Sequence, residues 1–301
     1  MKIIVTGGAG FIASHVADAY IRAGHRVVIL DNLSTGSRRN INPKAKFYKA
    51  DVRNGGFVER IFKKERPQLV NHHAALINVT KSVKDPLGTL QTNVLGTANV
   101  LIALGKYGEK NKKIVFASSG GSIYGNSKRI PADENTEASP LSPYALSKLL
   151  AEETIVCFAK EYGIDYIILR YANVYGSRQK NGVVPIFTAL MRRGKRPTIF
   201  GNGKKTRDYV YVEDVAVANV KAINKGAREI LNIGSEKEIS DQAVFNAIAE
   251  NLNFRGKPIY VPRREGEVER IALSIHRAKK LLGWAPKISF QKGIKKMLSI
   301  L

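Results

Sequence analysis

Tyr144 and Lys148 stand four residues apart in Ser142-Pro143-Tyr144-Ala145-Leu146-Ser147-Lys148, with Ser118-Ser119 about a helix and a loop upstream. On a helix, residues four apart share a face, so this spacing sets a phenol beside an ammonium. A free tyrosine titrates near ~10 and is a poor base at neutral pH. A neighbouring cation favours the phenolate and brings proton transfer within reach. A serine hydroxyl from elsewhere in the chain can hydrogen-bond the same substrate oxygen. Tyr-x-x-x-Lys pairs are common on solvated helix faces, so the spacing alone does not identify a site. The weight comes from the N-terminus.

There, Thr6-Gly7-Gly8-Ala9-Gly10-Phe11-Ile12-Ala13 follows a short β-branched run and opens an amphipathic stretch. Gly7, Gly10 and the small Ala13 permit a tight turn and a close approach of backbone to a pyrophosphate at a helix N-terminus. Asp31, 24 residues beyond Gly7, closes the next apolar run. A carboxylate there can accept from adenosine ribose hydroxyls and would repel a 2′-phosphate, so NAD is expected over NADP. Arg38 and Arg39 weigh the other way, since an arginine can bind that phosphate. Asp51 and Val52, after a third apolar run, are candidates to flank the adenine; an ordinary strand-end carboxylate and a core valine fit them equally.

These residues need a scaffold, and the periodicity supplies one. Strands are expected at Lys2–Thr6, Val27–Leu30, Lys46–Ala50, Gln68–His72, Lys113–Ala117 and Ile164–Tyr171. Helices are expected at Phe11–Ala23, Val58–Lys64, Asn93–Tyr107 and Pro143–Tyr162. Pro143 suits a first helical position, and Ser142 is placed to cap it. Strands alternating with helices imply parallel βαβ units with right-handed crossovers, hence an α/β fold with a doubly wound, mostly parallel Rossmann-type sheet. The division expected is a dinucleotide-binding domain over 1–172 and a smaller substrate-binding lobe over 173–301. A strand near 228–234 is expected to return to the first sheet.

The 301 residues suffice for a sizeable core. No uninterrupted apolar run approaches the ~18–20 residues of a membrane span. The start, Met1-Lys2-Ile3-Ile4, lacks the long apolar region of a signal peptide, so a cytoplasmic, non-membrane protein is expected. Cys157 is the only cysteine, which excludes an internal disulfide or a cysteine metal cluster, and no metal is expected. Lys and Arg outnumber Asp and Glu by 49 to 25, a net charge of +24. That field favours anionic ligands, nucleotides included. The basic residues are scattered without interleaved aromatics, so no specific nucleic acid is expected.

With these segments in hand, the chain resembles the extended short-chain dehydrogenase/reductase family, and within it the UDP-glucose (UDP-galactose) 4-epimerases. Carrying the resemblance are Thr6 to Ala13, Asp31-Asn32-Leu33-Ser34, Asp51-Val52-Arg53, His73-Ala74-Ala75 and Asn93-Val94-Leu95-Gly96-Thr97. Further on come Ser118-Ser119, Tyr144 with Lys148, Leu169 to Gly176, Arg207-Asp208-Tyr209 and Leu282-Gly283-Trp284. The resemblance implies Tyr144 as acid/base and Lys148 as its partner, also bonded to the nicotinamide ribose. It implies Ser119, with Ser118 as the alternative, as the serine on the reacting hydroxyl; one extra small residue in Ser118 to Tyr124 leaves the two open. It places Gly7, Gly10, Phe11, Ile12, Asp31, Asn32, Asp51, Val52, Ala74, Ala75, Asn93 and Tyr171 around NAD. It places Asn173, Thr198, Phe200, Arg207, Arg264 and Glu267 around a UDP-sugar. Paired guanidinium donors suit a diphosphate, and a carboxylate suits a ribose hydroxyl. Ile271 falls near a family gate position where a larger aromatic excludes N-acetylated sugars. The resemblance also implies a homodimer through the helices of 93–107 and 143–162.

Relatives that eliminate water from the oxidised sugar carry an acid pair after the serine or threonine. Here the residues are Gly120, Gly121 and Ser122. The expected reaction is therefore reversible oxidation at C4 with hydride return, an epimerisation. Epimerases of UDP-N-acetylhexosamine or UDP-glucuronate, a simple NAD-dependent sugar dehydrogenase, and a non-catalytic dinucleotide-binding protein of the same fold stay open beside it.

Overall fold

The computed structural model describes residues 1–263 and 268–300. In chain order the strands are β1 (Lys2–Thr6), β2 (Arg26–Asp31), β3 (Lys46–Lys49), β4 (Leu69–His72), β5 (Lys113–Ser119) and β6 (Asp165–Tyr171). They continue as β7 (Asn173–Tyr175), β8 (Thr198–Phe200), β9 (Thr206–Tyr211), β10 (Glu229–Ile233), β11 (Glu238–Ser240) and β12 (Ile259–Val261). Seven of them form one sheet in the order β10-β6-β5-β4-β1-β2-β3, every pair parallel. This is the expected α/β doubly wound, Rossmann-type sheet. The chain runs outward from β1 to β3, then crosses back to β4, so the order reverses between β1 and β4. Open parallel sheets bind ligands at that reversal, outside the strands' carboxyl ends.

Both faces of the sheet are covered, which is why its strands read as continuous apolar runs. Along β1, Ile3 and Val5 enter one core, which includes Val16 and Tyr20 of the Phe11–Arg22 helix. Ile4 enters the other, with Phe62, Leu101 and Ile155 from the helices Gly55–Glu65, Gly96–Tyr107 and Pro143–Tyr162. The run Pro86–Tyr107 is long and apolar enough to cross a membrane; in this fold it packs against those neighbouring helices.

A third core, with Tyr175, Phe187, Tyr211, Phe245 and Phe290, supports two small sheets, β11-β9-β7 and β12-β8. The segment after residue 172 is not all in that lobe. β10 pairs with β6 in the large sheet, and the Val212–Ala222 helix packs on the Phe11–Arg22 helix. Asp208 ties the two together, accepting from Ser235 N (2.7 Å), Ser235 Oγ (2.6 Å), Glu236 N (3.2 Å) and Leu273 N (3.1 Å).

Candidate functional site

At the end of β1 the backbone makes the expected tight turn. Gly10 N donates to Gly7 O at 2.9 Å, and Gly7 adopts φ +68°, where a side chain would be strained. A Cβ on Gly7 would lie 2.8 Å from Ala74 N, so glycine here is a packing requirement between the β1 turn and the loop after β4. Gly10 begins the Phe11–Arg22 helix with no side-chain cap, leaving the N–H groups of its first turn, Phe11 and Ile12 included, directed at the reversal point. Asp31, buried at the end of β2, accepts from Ala9 N (3.0 Å) and Leu33 N (2.7 Å). Two acceptors on a carboxylate leave further lone pairs for ribose hydroxyls. A bare, uncapped helix end, a glycine with no room for a Cβ and a fixed carboxylate together fit a dinucleotide.

Other expected cofactor residues are held among themselves. Asn32 Nδ2 donates to Asp51 (2.9 Å), and Arg53 grips the same carboxylate through Nε (3.0 Å) and Nη2 (2.7 Å). Arg53 holds the Asp51 carboxyl well below the usual carboxylate range. Val52 is buried in the core beside Gly96. Ala74 N donates to Thr6 Oγ1 at 3.2 Å, and Ala75 is half-buried in the same loop. The Asn93 amide bonds Leu76 N (2.8 Å), Leu76 O (3.0 Å) and Ser147 Oγ (2.9 Å), joining that loop to the Tyr144 helix. Tyr171 is buried at the end of β6, its hydroxyl between His73 Nε2 (3.2 Å) and Asn219 (2.8 Å). Arg38 lies over the Phe47 ring at 5.5 Å.

The Pro143–Tyr162 helix forms as its sequence predicts: Ser142 Oγ accepts from Ala145 N at 3.2 Å, and Gly163 closes it at φ +58°. Tyr144 N is taken by Ser82 Oγ (3.1 Å), which fixes the first turn to the short Val79–Lys84 helix. Tyr144 opens onto a cavity of about 570 Å³ shared with Ser119, Ser122, Asn173 and Arg207. One turn along, Lys148 is buried, its Nζ donating to Ala117 O (2.8 Å) above the Phe116 ring (4.7 Å). Burial pulls Lys148 down to about 8, with Glu152 opposing. Burial also raises the Tyr144 phenol, and what opposes it is the Ser119 hydroxyl rather than Lys148, contrary to the balance expected from spacing alone.

The two serines part company here. β5 runs two residues further than expected, so Ser118 and Ser119 alternate across it. Ser118 is buried and donates to Glu152, which receives Arg170 through Nε (3.0 Å) and Nη2 (2.6 Å). Ser119 lines the cavity. Thr198 and Phe200 stand on β8, and neither they nor the buried Ile271 are among the described residues of the cavity wall; Val268 is. Arg264 and Glu267 lie outside the described residues. Sequence reasoning missed the wall formed by Val79, Thr80, Val83 and Lys84. Its signals were two capping residues: Asn78 accepts from Lys81 N (2.8 Å) and Asp85 from Gly88 N (2.9 Å).

A parallel sheet with this glycine turn, and a tyrosine and serine sharing one cavity beyond it, fit an enzyme of the dinucleotide-binding class. The chain belongs to the NAD dependent epimerase/dehydratase family, whose model matches residues 3–234. It is 50% identical, over 99% of its length and 97% of the other's, to a Methanocaldococcus jannaschii protein provisionally named UDP-glucose 4-epimerase. Thermotoga maritima UDP-glucose 4-epimerase, solved with UDP-glucose, superposes with TM-score 0.97 at 43% identity, covering 99% of this chain and 98% of that one. The Thermus thermophilus UDP-glucose 4-epimerase in complex with NAD gives TM-score 0.94 at 38% identity, covering 99% and 98%.

Proposed function

We propose that the protein is a UDP-glucose/UDP-galactose 4-epimerase that oxidises the sugar at C4, lets the 4-keto sugar turn over, and returns the hydride to the opposite face. The observation carrying this is the cavity wall. Tyr144 and Ser119 supply a proton acceptor and a hydroxyl donor, and no carboxylate is among the described residues that could remove water. NAD, when bound, supplies a reversible hydride acceptor and donor.

In this reading Tyr144 takes the proton of the C4 hydroxyl and gives it back after the sugar turns. Ser119 bonds the same oxygen as it gains carbonyl character. Lys148, its Nζ on Ala117 O, is assigned to the nicotinamide ribose by resemblance, and Ser118 serves the Glu152–Arg170 pair instead of the substrate. Gly7, Gly10, Phe11, Ile12, Asp31, Asn32, Ala74, Ala75 and Tyr171 border the cofactor, Asp51 and Val52 shape its adenine end, and Asn93 positions the loop between. Asn173 and Arg207 face the UDP-sugar from the cavity wall, with Thr198, Phe200, Arg264 and Glu267 assigned to the uridine end by resemblance.

Epimerisation leaves the redox state unchanged. The enzyme should convert UDP-galactose with no net NADH absorbance beyond its own bound cofactor; NADH rising in step with product would assign a dehydrogenase instead. The same assay with UDP-N-acetylglucosamine and UDP-glucuronate ranks the alternative sugars.

A cytoplasmic homodimer completes the proposal. Leu95, Leu146, Leu150 and Val156 form an exposed apolar set on and beside the helices expected to pair, and large exposed apolar sets mark interaction faces. Light scattering should give twice 33.2 kDa, and a monomer at working concentration would contradict the pairing. Recovery in the soluble cytosolic fraction is the expected location result, and recovery with membranes the contrary one.

A further inference from the structure

Ser119 and Ser122 are three residues apart with Gly120 and Gly121 between them. In the structure β5 ends at Ser119, and Gly120–Ile123 form a single helical turn. That turn sits close to its surroundings at both glycines. A Cβ on Gly120 would approach Leu273 Cδ1 to 2.7 Å, and one on Gly121 would lie 3.1 Å from Asn173 Oδ1. The turn brings Ser122 back over Ser119, and Ser122 Oγ donates to Ser119 Oγ at 2.8 Å. Its other acceptor, Ser119 O, is 3.5 Å away, too long to compete.

Ser119 precedes the turn, where serines commonly cap, yet its side chain makes no capping bond. Its hydroxyl has one hydrogen and two lone pairs. With one lone pair filled by Ser122, the hydrogen remains for the oxygens on the other side, which are those of the cavity and Tyr144.

We infer that Ser122 is a positioning residue: its hydroxyl fixes the rotor of Ser119 so that Ser119 donates toward Tyr144 and the substrate oxygen between them. This rests on the roles given above to Ser119 and Tyr144. Without Ser122 the Ser119 hydroxyl rotates among several acceptors, including its own backbone, and donates toward the phenol only part of the time. The Ser-Gly-Gly-Ser spacing therefore has a use. It gives the length at which two hydroxyls three apart meet.

Titration of Tyr144 by phenolate absorbance, taken as the difference from Tyr144→Phe, tests this without requiring turnover. Ser122→Ala should raise the midpoint by up to about one pH unit, in the same direction as Ser119→Ala, while Ser122→Thr stays at the wild-type midpoint. In turnover, Ser122→Ala should lower kcat about tenfold with KM within about twofold, and should cost nothing further in a Ser119→Ala background. A wild-type midpoint in Ser122→Ala, or an equal added loss in the Ser119→Ala background, overturns the inference. If Ser122→Ala fails to fold, Ser122→Cys, a weak donor of similar size, gives the same reading. Full turnover in Ser119→Ala would instead remove the functional reading, and the titration would still decide on Ser122.

Discussion

Two polar regions meet at the end of β5, built from adjacent residues and opposite in condition. On one side Ser118, Glu152, Arg170, Tyr124 and Asn232 are buried and bonded to one another, Arg170 Nη1 reaching Tyr124 Oη at 3.0 Å and Tyr124 Oη reaching Asn232 Oδ1 at 2.9 Å. None of these side chains has a buried polar atom without a partner, so the cluster holds β5, β6 and β10 to the Tyr144 helix. On the other side Ser119, Ser122 and Tyr144 border open volume. Their hydroxyls are oriented but retain capacity for a ligand. The same residue type, one position apart, is structural where its partners saturate it and available for chemistry where they do not.

The sharpest separation is Tyr144→Phe. It should cut turnover by about two to four orders of magnitude, the worth of a positioned acid/base, while UDP binding and stability to denaturant stay near wild type. Near-full activity would erase the distinction between the two regions. The mirror experiment is Glu152→Gln, which leaves the buried Arg170 charge without its counter-ion. Breaking a buried pair in this way costs about 3–4 kcal/mol, read as a lower denaturant midpoint, with turnover per folded molecule changed only a few-fold. An unchanged midpoint would show the cluster to be dispensable.

Asp208 sharpens the comparison, since it is saturated by four donors yet still strained by burial, which raises its carboxyl from 3.8 to about 6. With the folded value above the unfolded one, the folded protein holds more protons between those values. Stability attributable to this group is therefore full below pH ~4 and falls as pH rises to ~6, by about 2–3 kcal/mol. The stability difference between wild type and Asp208→Asn should shift against wild type across that window. A difference flat in pH would mean the four donors already offset the burial.

What sequence made legible followed how local each feature is. The glycine turn, Asp31, and the Ser142-Pro143 helix start are set by backbone geometry within a few residues, and all three appear where expected. The choice between Ser118 and Ser119 was not local. It depends on β5 continuing through Ser119 and on Glu152 and Arg170, 34 and 52 positions on from Ser118, arriving on one side. The Val79–Lys84 helix escaped because six residues carry too little periodicity; its caps and the Ser82–Tyr144 contact hold it. The three-residue strands of the second lobe are likewise too short to show alternation. Resemblance assigned Thr198 and Phe200 to the uridine end, and the structure sets both on the three-residue strand β8.

The most direct measurement is proton NMR of the purified protein with UDP-galactose carrying deuterium at C4, with no cofactor added. Oxidation and return of the same hydride predict UDP-glucose with the deuterium still at C4. Conversion with a proton at C4 would contradict that route, as would no conversion even when NAD is supplied.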